Sequence, residues 1–262
     1  MNKNELFKEA IDELFPFMQR IPATGDFALA VTGSHGRGTA DDGSDYDLCL
    51  FCEALAPRDV LRPVFGEIRM LTDKWKECGV IIDGPLPRTY ADMDDQLDLW
   101  MSGKAEPVPY VWTVWGYHIL VHTSILTILY DPENKVAAWL ERLSVYPDAL
   151  RDAVIKKHAG SLRYWKDDYH YQNKVRREDV VFLSSITARL IHDIMQVLYA
   201  LNRAYYPGDG NNLDLARDFT LKPDDLEAKV TAILLPAKNI GGFAEQYENL
   251  IKLIDEVLQI AG

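Results

Sequence analysis

A glycine-rich segment between two short apolar runs constrains the fold of this chain more than any other feature. Residues 27–32 read Phe-Ala-Leu-Ala-Val-Thr, and residues 45–51 alternate before they become wholly apolar, so both runs are predicted to form strands. Residues 33–43 between them are rich in glycine and cannot be regular structure throughout. The pattern predicts two buried strands joined by a loop whose backbone amides are open to close approach.

Strands and helices alternate through the first half of the chain, which favours a mixed α/β layer. Apolar residues recur at helical spacing in residues 4–20 and 58–78, and residues 80–82 form a third strand candidate. Prolines at positions 85 and 87 are expected to interrupt that strand before a second extended piece around residues 88–93.

The second half of the chain changes to helical periodicity. Three ranges share an apolar face at helical spacing: 148–170, 180–203 and 243–260. No strand signal of weight follows Asp131, and residues 131–134 read as a turn. We therefore predict an α+β protein, in which a mixed-sheet α/β domain at residues 1–131 is followed by an α-helical bundle domain at residues 132–262.

The formal net charge of −12 restricts the classes of ligand. Proteins that bind DNA or RNA generally need positive charge against phosphate, so no nucleic acid partner is expected. The acidity suits a cationic small-molecule acceptor, or it reflects solubility alone.

The cysteines and the N-terminal residues indicate the cellular compartment in which the protein is expected. Cys49, Cys52 and Cys78 are sparse and odd in number, which favours reduced thiols. Because no second cysteine pair completes a zinc site, Cys49 and Cys52 are interpreted as structural thiols. The first residues lack a signal pattern and no apolar run is long enough to cross a bilayer, so we expect a cytoplasmic protein without a membrane partner.

The segment from Gly33 to Asp47 carries the residues with chemistry. Glycine at a strand end lets exposed N–H groups cradle phosphate oxygens, and Ser34 adds a hydroxyl donor. Asp45 and Asp47 are two residues apart, which on a strand puts both carboxylates on one face. Two anions on one face need a cation between them, and oxygen-only ligands favour Mg²⁺ or Mn²⁺. The combination predicts nucleotidyl transfer from a metal–triphosphate complex.

Gly33-Ser34, ten residues and then Asp45-x-Asp47 resemble the signature of the nucleotidyltransferase superfamily that includes DNA polymerase beta and the aminoglycoside nucleotidyltransferases. The extended form, with Arg37-Gly38-Thr39 and a serine before the acidic pair, is similar to the small-molecule and antitoxin branches. In the second half, Tyr146-Pro147 and the Leu-Asn-Arg-x-Tyr-x-Pro run at 201–207 resemble an uncharacterised bacterial family that joins this domain to a helical C-terminal domain.

The resemblance implies a role for each motif residue. Asp45 and Asp47 would hold one or two magnesium ions against a nucleoside triphosphate. Gly33 and Ser34 would bind the β- and γ-phosphates, and Arg37 would neutralise their charge. Further nucleotide contacts are assigned to the rest of the extended motif, at Gly38, Thr39 and Ser44. The implied reaction is attack of a hydroxyl of a small acceptor, such as an aminoglycoside-like antibiotic, on the α-phosphorus of the triphosphate, here expected to be ATP, with release of pyrophosphate.

The superfamily usually has a third carboxylate, as a metal ligand or general base, on a neighbouring strand. Asp92 is favoured for this place because it lies in an expected extended piece after the helix. Asp83 is the alternative, although the Gly84-Pro85 that follows it is also typical of a turn. Asp94 and Asp98 are weaker candidates.

Other interpretations stay open at this point. An antitoxin-like enzyme would modify a protein partner, a degenerate domain would bind nucleotide without catalysis, and a solvated glycine-aspartate loop would do neither. Arg151 and His158 lie two turns apart on one helical face, as in a family of ribonuclease toxins, although His158 also suits a core position. Trp165 with Asp167-Asp168 suits either contact with a cationic acceptor or a core aromatic beside exposed acids.

Overall fold

The computed structural model describes residues 3–106, 118–208, 212–235 and 242–262. Their contacts divide the chain into two compact units: Met1–Asp98 with Ile119–Val145, and Leu99–His118 with Tyr146–Gly262. The domain boundary after residue 131 stays a prediction.

A four-stranded mixed sheet with the strand order β3-β2-β1-β4 organises the first unit. β1 is antiparallel to both β2 and β4, whereas β2 and β3 are parallel. The elements follow the chain in the order α1 (Lys3–Met18), β1 (Phe27–Thr32), α2 (Gly33–Arg37), β2 (Tyr46–Cys52), α3 (Arg58–Glu77), β3 (Ile82–Thr89), α4 (Tyr90–Met101), α5 (His118–Ser124), β4 (Thr127–Tyr130) and α6 (Lys135–Leu143).

The two faces of the sheet have different partners. Alternate residues of β2, among them Tyr46 and Leu48, are buried in one core with side chains of α1 and α3. Asp47 and Phe51 point to the opposite face because side chains alternate along a strand. There Phe51 meets Trp139 of α6 with ring centroids 5.0 Å apart. Asp47 therefore lies on the face away from α1 and α3.

The third strand differs from its prediction. β3 continues through Pro85 and Pro87 to Thr89, so the expected break is wrong; instead, the pairing with β2 shifts register between Asp83 and Leu86. β3 is an edge strand of the sheet. On its open side no neighbouring strand needs a backbone N–H, so a proline there costs no hydrogen bond of the sheet. The extended piece predicted at residues 88–93 is also wrong beyond Thr89, because α4 begins at Tyr90.

The second unit is helical, as predicted. Its elements are α7 (Asp148–Lys166), α8 (Tyr169–Arg176), α9 (Val180–Leu201), α10 (Asn212–Leu215), α11 (Leu226–Leu234) and α12 (Gly242–Ala261). No strand occurs among the described residues of this unit. α9 is the central helix, since its buried residues share one core with residues of α7, α11 and α12.

Helix α9 departs from the expectation that no apolar run is long enough to cross a bilayer. Among the described residues, α9 is long and apolar enough to span a bilayer by length and composition alone. In this structure 56% of its most apolar window is buried, and its buried face includes the charged residue Asp193. The same composition is what a central core helix requires.

Candidate active site

The register of β1 and β2 places an acidic side chain beside the glycine-rich turn. Thr32, the last residue of β1, lies opposite Asp47 of β2. Gly33 follows with a positive φ of 65°, and a Cβ atom there would lie 1.7 Å from Oδ2 of Asp47. The carboxylate thus occupies the space that any side chain at position 33 would need. Glycine is required for this contact as well as for the backbone conformation.

The segment after Gly33 is a single helical turn rather than an irregular loop. α2 ends at Arg37, and the capping residue Gly38 has a φ of 72° and donates its N–H to the carbonyl of His35 at 3.2 Å. The N–H of Thr39 donates to the carbonyl of Ser34 at 3.0 Å. The first amides of a helical turn have no partner within the helix, so those of Gly33 and Ser34 are the ones that can face an anion.

The helical turn is anchored to the segment before β4. The hydroxyl of Thr32 donates to the carbonyl of His122 at 2.9 Å. A Cβ atom on Gly36 would lie 2.3 Å from the carbonyl oxygen of Ile125, so the two backbones pack without room for a side chain. Two glycines of the motif are therefore explained by close approach.

Asp83 is the carboxylate that the structure places beside Asp47. The parallel register of β2 and β3 pairs these two residues, so their side chains share a face of the sheet. Both charges act on the thiol of Cys49, whose pKa is raised to about 12, chiefly by burial. Arg88 acts on the same thiol in the opposite direction. Arg88, a half-buried residue that was not predicted from the sequence, pairs with Phe51 and therefore lies on the same face of the sheet, further along β2 from the two carboxylates.

Asp92 does not lie on a strand. It is exposed in the first turn of α4, and its N–H donates to the hydroxyl of Thr89 at 3.2 Å, as at a helix N-terminus. The strand position that motivated its choice as third carboxylate is wrong, because helix α4 begins before it. Between the two candidates, only Asp83 is paired with Asp47.

Asp45 immediately precedes β2, so strand alternation does not fix its direction relative to Asp47. Its negative charge raises the pKa of His35, which is lowered overall by burial and by Lys3. Within the described residues, no group of three His, Cys, Asp or Glu side chains is close enough to hold a metal ion. The predicted metal role of Asp45 stays a prediction.

Ser44 takes part in a turn of its own. Its hydroxyl donates to Oδ1 of Asp41 at 2.8 Å and accepts from the N–H of Asp41 at 2.9 Å. Lys3 donates to the carbonyls of Asp42 and Ser44, at 3.0 and 2.8 Å. The turn is thereby held in place before β2 begins, and a nucleotide contact by the Ser44 hydroxyl stays a prediction.

Two family models match the chain, in the order that the motifs predict. Residues 7–103 match the nucleotidyltransferase domain, and this range includes α2, Asp45, Asp47 and Asp83. The chain contains a nucleotidyltransferase domain. Residues 112–210 match a domain of unknown function, DUF4037. Both parts of the resemblance are confirmed, and no curated protein shows significant similarity to the chain.

Nucleotidyltransferase domains generally act with a divalent metal and a nucleoside triphosphate. The donor chemistry in this nucleotidyltransferase domain fits such an ion, because neighbouring carboxylates on one face offer only oxygen and repel each other without a cation. The first amides of α2, which have no partner within the helix, lie beside Asp47, where the phosphates of a metal-bound triphosphate would need them. Arg37 is half-buried and makes no ion pair with any described residue, so its guanidinium is available to bind an anion.

The other sequence candidates lie in the helical unit and have structural contacts. Nδ1 of His158 lies 2.6 Å from Oδ1 of Asp193, and the hydroxyl of Ser161 donates to Oδ2 of the same residue at 2.7 Å. Trp165 is partly buried and packs against the core of the unit, with its ring centroid 6.3 Å from that of Phe182. These contacts favour the core interpretation of His158 and of Trp165.

Proposed function

We propose that the protein transfers a nucleoside monophosphate from a nucleoside triphosphate to a hydroxyl group of a small acceptor, with Mg²⁺ or Mn²⁺ and with release of pyrophosphate. The nucleotidyltransferase domain supports nucleotidyl transfer in general. ATP as donor, the small hydroxylated acceptor and an aminoglycoside-like antibiotic as one such acceptor are parts of the proposal.

One observation carries the proposal. The carboxylate of Asp47 lies against the first residue of α2, where a Cβ on Gly33 would be 1.7 Å from its oxygen. The proposed metal ligand and the proposed phosphate-binding amide would thus be direct neighbours. A metal–triphosphate complex requires this proximity, because the same phosphate oxygens contact both the ion and the amides.

Each residue of the site has a role in the proposal. Asp47 and Asp83 would hold the ion and Asp45 would complete the set. When bound, the ion would neutralise charge on the triphosphate. The amides of Gly33 and Ser34, with the Arg37 guanidinium, would bind the β- and γ-phosphates and hold the α-phosphorus in line with the acceptor hydroxyl.

The pairing of Asp83 with Asp47 supports Asp83, rather than Asp92, as the third carboxylate. In that position it either holds the ion or accepts the proton of the attacking hydroxyl. Asp92 keeps its first-turn position on α4, where a carboxylate stabilises the positive end of the helix dipole.

The test is release of pyrophosphate from each of the four common triphosphates, with Mg²⁺ and a panel of hydroxylated acceptors that includes cationic aminoglycosides and neutral sugars. We expect one triphosphate–acceptor pair to give turnover that needs the metal. Asp47→Asn should lower kcat/KM at least about a hundredfold, since loss of substrate positioning has effects of this size.

The exposed Asp73 offers a matched control, because the only ion pair that it makes with a described residue is a surface contact with Arg69 at 3.9 Å. Asp73→Asn should leave turnover unchanged. Retention of near-normal turnover by Asp47→Asn, with circular dichroism like the wild type, would refute the assigned role of Asp47.

A further inference from the structure

Three aromatic rings connect the first helix of the chain to the phosphate-binding turn. The ring of Tyr46, the first residue of β2, stacks on Phe7 of α1 with centroids 3.7 Å apart and planes 3° from parallel. It also stacks on His35 of α2, at 3.7 Å and 15°. Two rings so close to one ring cannot share a face, so Tyr46 lies between Phe7 and His35. We call these three residues the ring stack.

The ring stack adds a side-chain connection between two segments that the β1–β2 ladder already holds together at Thr32 and Asp47. α2 carries the amides of Gly33 and Ser34, and β2 begins directly after Asp45. Between them the chain runs through residues 38–45, which form no helix or strand. The contact between His35 and Tyr46 therefore adds a second constraint, through side chains, on how α2 lies relative to the start of β2.

The contacts of α1 reinforce this connection. Lys3 donates to two carbonyls of the turn before β2, and the hydroxyl of Tyr46 donates to Oδ1 of Asn4 at 3.2 Å. All of these contacts come from the first turns of α1. None of them lies on the sheet face that carries Asp47.

The ring of His35 is suited to a positioning role. Burial and the charge of Lys3 lower its pKa, so the ring is neutral near pH 7 and stacks without the cost of a buried charge. Its Nε2 is buried and makes no hydrogen bond with any described residue. Phenylalanine at this position would keep the ring, but it would remove both the unpartnered Nε2 and the hydrogen bond between the His35 ring and the backbone of Ser44.

From these contacts we infer that the ring stack is a positioning device for the triphosphate: Phe7 and Tyr46 hold His35, and His35 holds the amides of α2 at the distance from Asp45 and Asp47 that the phosphates require. The inference rests on the proposed function. Phe7 lies on the opposite face of Tyr46 from α2. The inference therefore predicts that Phe7 affects nucleotide affinity without touching the nucleotide.

The test compares four variants of the full chain: His35→Ala, His35→Phe, Phe7→Leu and Phe15→Leu. Phe15→Leu is the matched control, because Phe15 lies on the same helix but its ring neighbours are Phe27 and Tyr130. The readouts are the affinity for Mg²⁺ with a non-hydrolysable α,β-methylene analogue of ATP, by calorimetry, and hydrogen exchange of the Gly38 and Thr39 amides without nucleotide.

Loss of the ring contact at His35→Ala or Phe7→Leu should weaken analogue binding about twofold to tenfold, the range expected for one aromatic pair. Both variants should also speed exchange of the two amides, which are bonded to carbonyls of α2. His35→Phe, which keeps the ring contacts and loses the hydrogen bond to the backbone of Ser44, should restore most of both properties, and Phe15→Leu should match the wild type in both.

Unchanged affinity and exchange in His35→Ala would overturn the inference, as would equal weakening by Phe15→Leu, which would mean that general loss of stability is the cause. If the wild type binds no triphosphate, the proposed function fails instead. Amide exchange would still show whether the ring stack holds α2, so the two failures are distinguishable.

Discussion

At the scale of single residues, the site depends on where side chains lie along neighbouring strands. Asp47 and Asp83 are separated by a long stretch of sequence, yet the parallel register makes them neighbours. Asp92 is as acidic and only nine positions further along, but α4 turns it away from the strands. Position on a strand, rather than acidity, therefore decides which carboxylate belongs to the site.

This difference predicts opposite outcomes for two equal substitutions. Asp83→Asn should lower kcat/KM at least about a hundredfold, because a ligand or base beside Asp47 is lost. Asp92→Asn should keep turnover within about twofold, since a first-turn carboxylate affects helix stability only slightly. Steady-state pyrophosphate release measures both. If Asp92→Asn lowered kcat/KM more than Asp83→Asn, Asp92 would be the third carboxylate of the site.

His35 predicts a pH dependence of stability. Its folded pKa is lowered, so the unfolded chain binds more protons than the native state as the pH falls through about 6.5. The free energy of unfolding should therefore decrease in this range. His35→Phe, which lacks the titrating group, should show a shallower decrease between about pH 7 and pH 5 in urea titrations. Parallel curves for the two proteins would show that His35 does not titrate in this way.

At the scale of elements, the motif is a strand, one helical turn and a second strand. The sequence predicted both strands and the limits of α1 and α3 closely, because apolar periodicity and a terminal glycine marked them. It did not predict α2, since a five-residue turn has no periodicity to detect. The short strand β4 was missed for the same reason.

The third strand shows why the site was only partly predictable. Prolines at 85 and 87 argued against a continuous strand, but proline is permitted on the edge that β3 occupies. Edge position is a property of the assembled sheet and is not readable from local sequence. Without knowledge of the edge position, the sequence could not show that Asp83, rather than Asp92, lies beside Asp47.

Gly33 provides the prediction at this scale. Gly33→Ala places a Cβ against the Asp47 carboxylate at a residue with positive φ, so the carboxylate must move. We expect kcat/KM to fall at least about a hundredfold, the cost of misplacing a positioning group. Gly43→Ala is the control in the same loop, because its Cβ would meet only Oδ1 of Asp41 at an ordinary 3.5 Å. Equal activity of the two variants would contradict the close contact.

At the scale of the whole molecule, the chain holds a nucleotidyltransferase domain and a helical unit, each with a core of its own. The predicted α+β class is confirmed. Among its described residues the helical unit buries one acid, Asp193, which both His158 and Ser161 contact. This cluster joins α7 to α9 inside the second core.

Removal of that acid should destabilise the helical unit. Asp193→Ala removes the buried carboxylate that both His158 and Ser161 contact. Because these groups then lack their common partner, the free energy of unfolding should fall by about 3 kcal/mol. Asp255→Asn, which breaks the exposed pair with Lys166, should change stability little. Urea denaturation followed by circular dichroism compares them. Equal effects would mean that the buried cluster contributes no more than a surface pair.

The most direct test of the account is a crystal structure with Mn²⁺ and a non-hydrolysable triphosphate analogue, in which anomalous scattering locates the metal. We predict manganese bound by oxygens of Asp47 and Asp83 at about 2.2 Å, with the β- and γ-phosphates on the amides of Gly33 and Ser34. A metal bound elsewhere, or phosphates away from α2, would contradict the central claim.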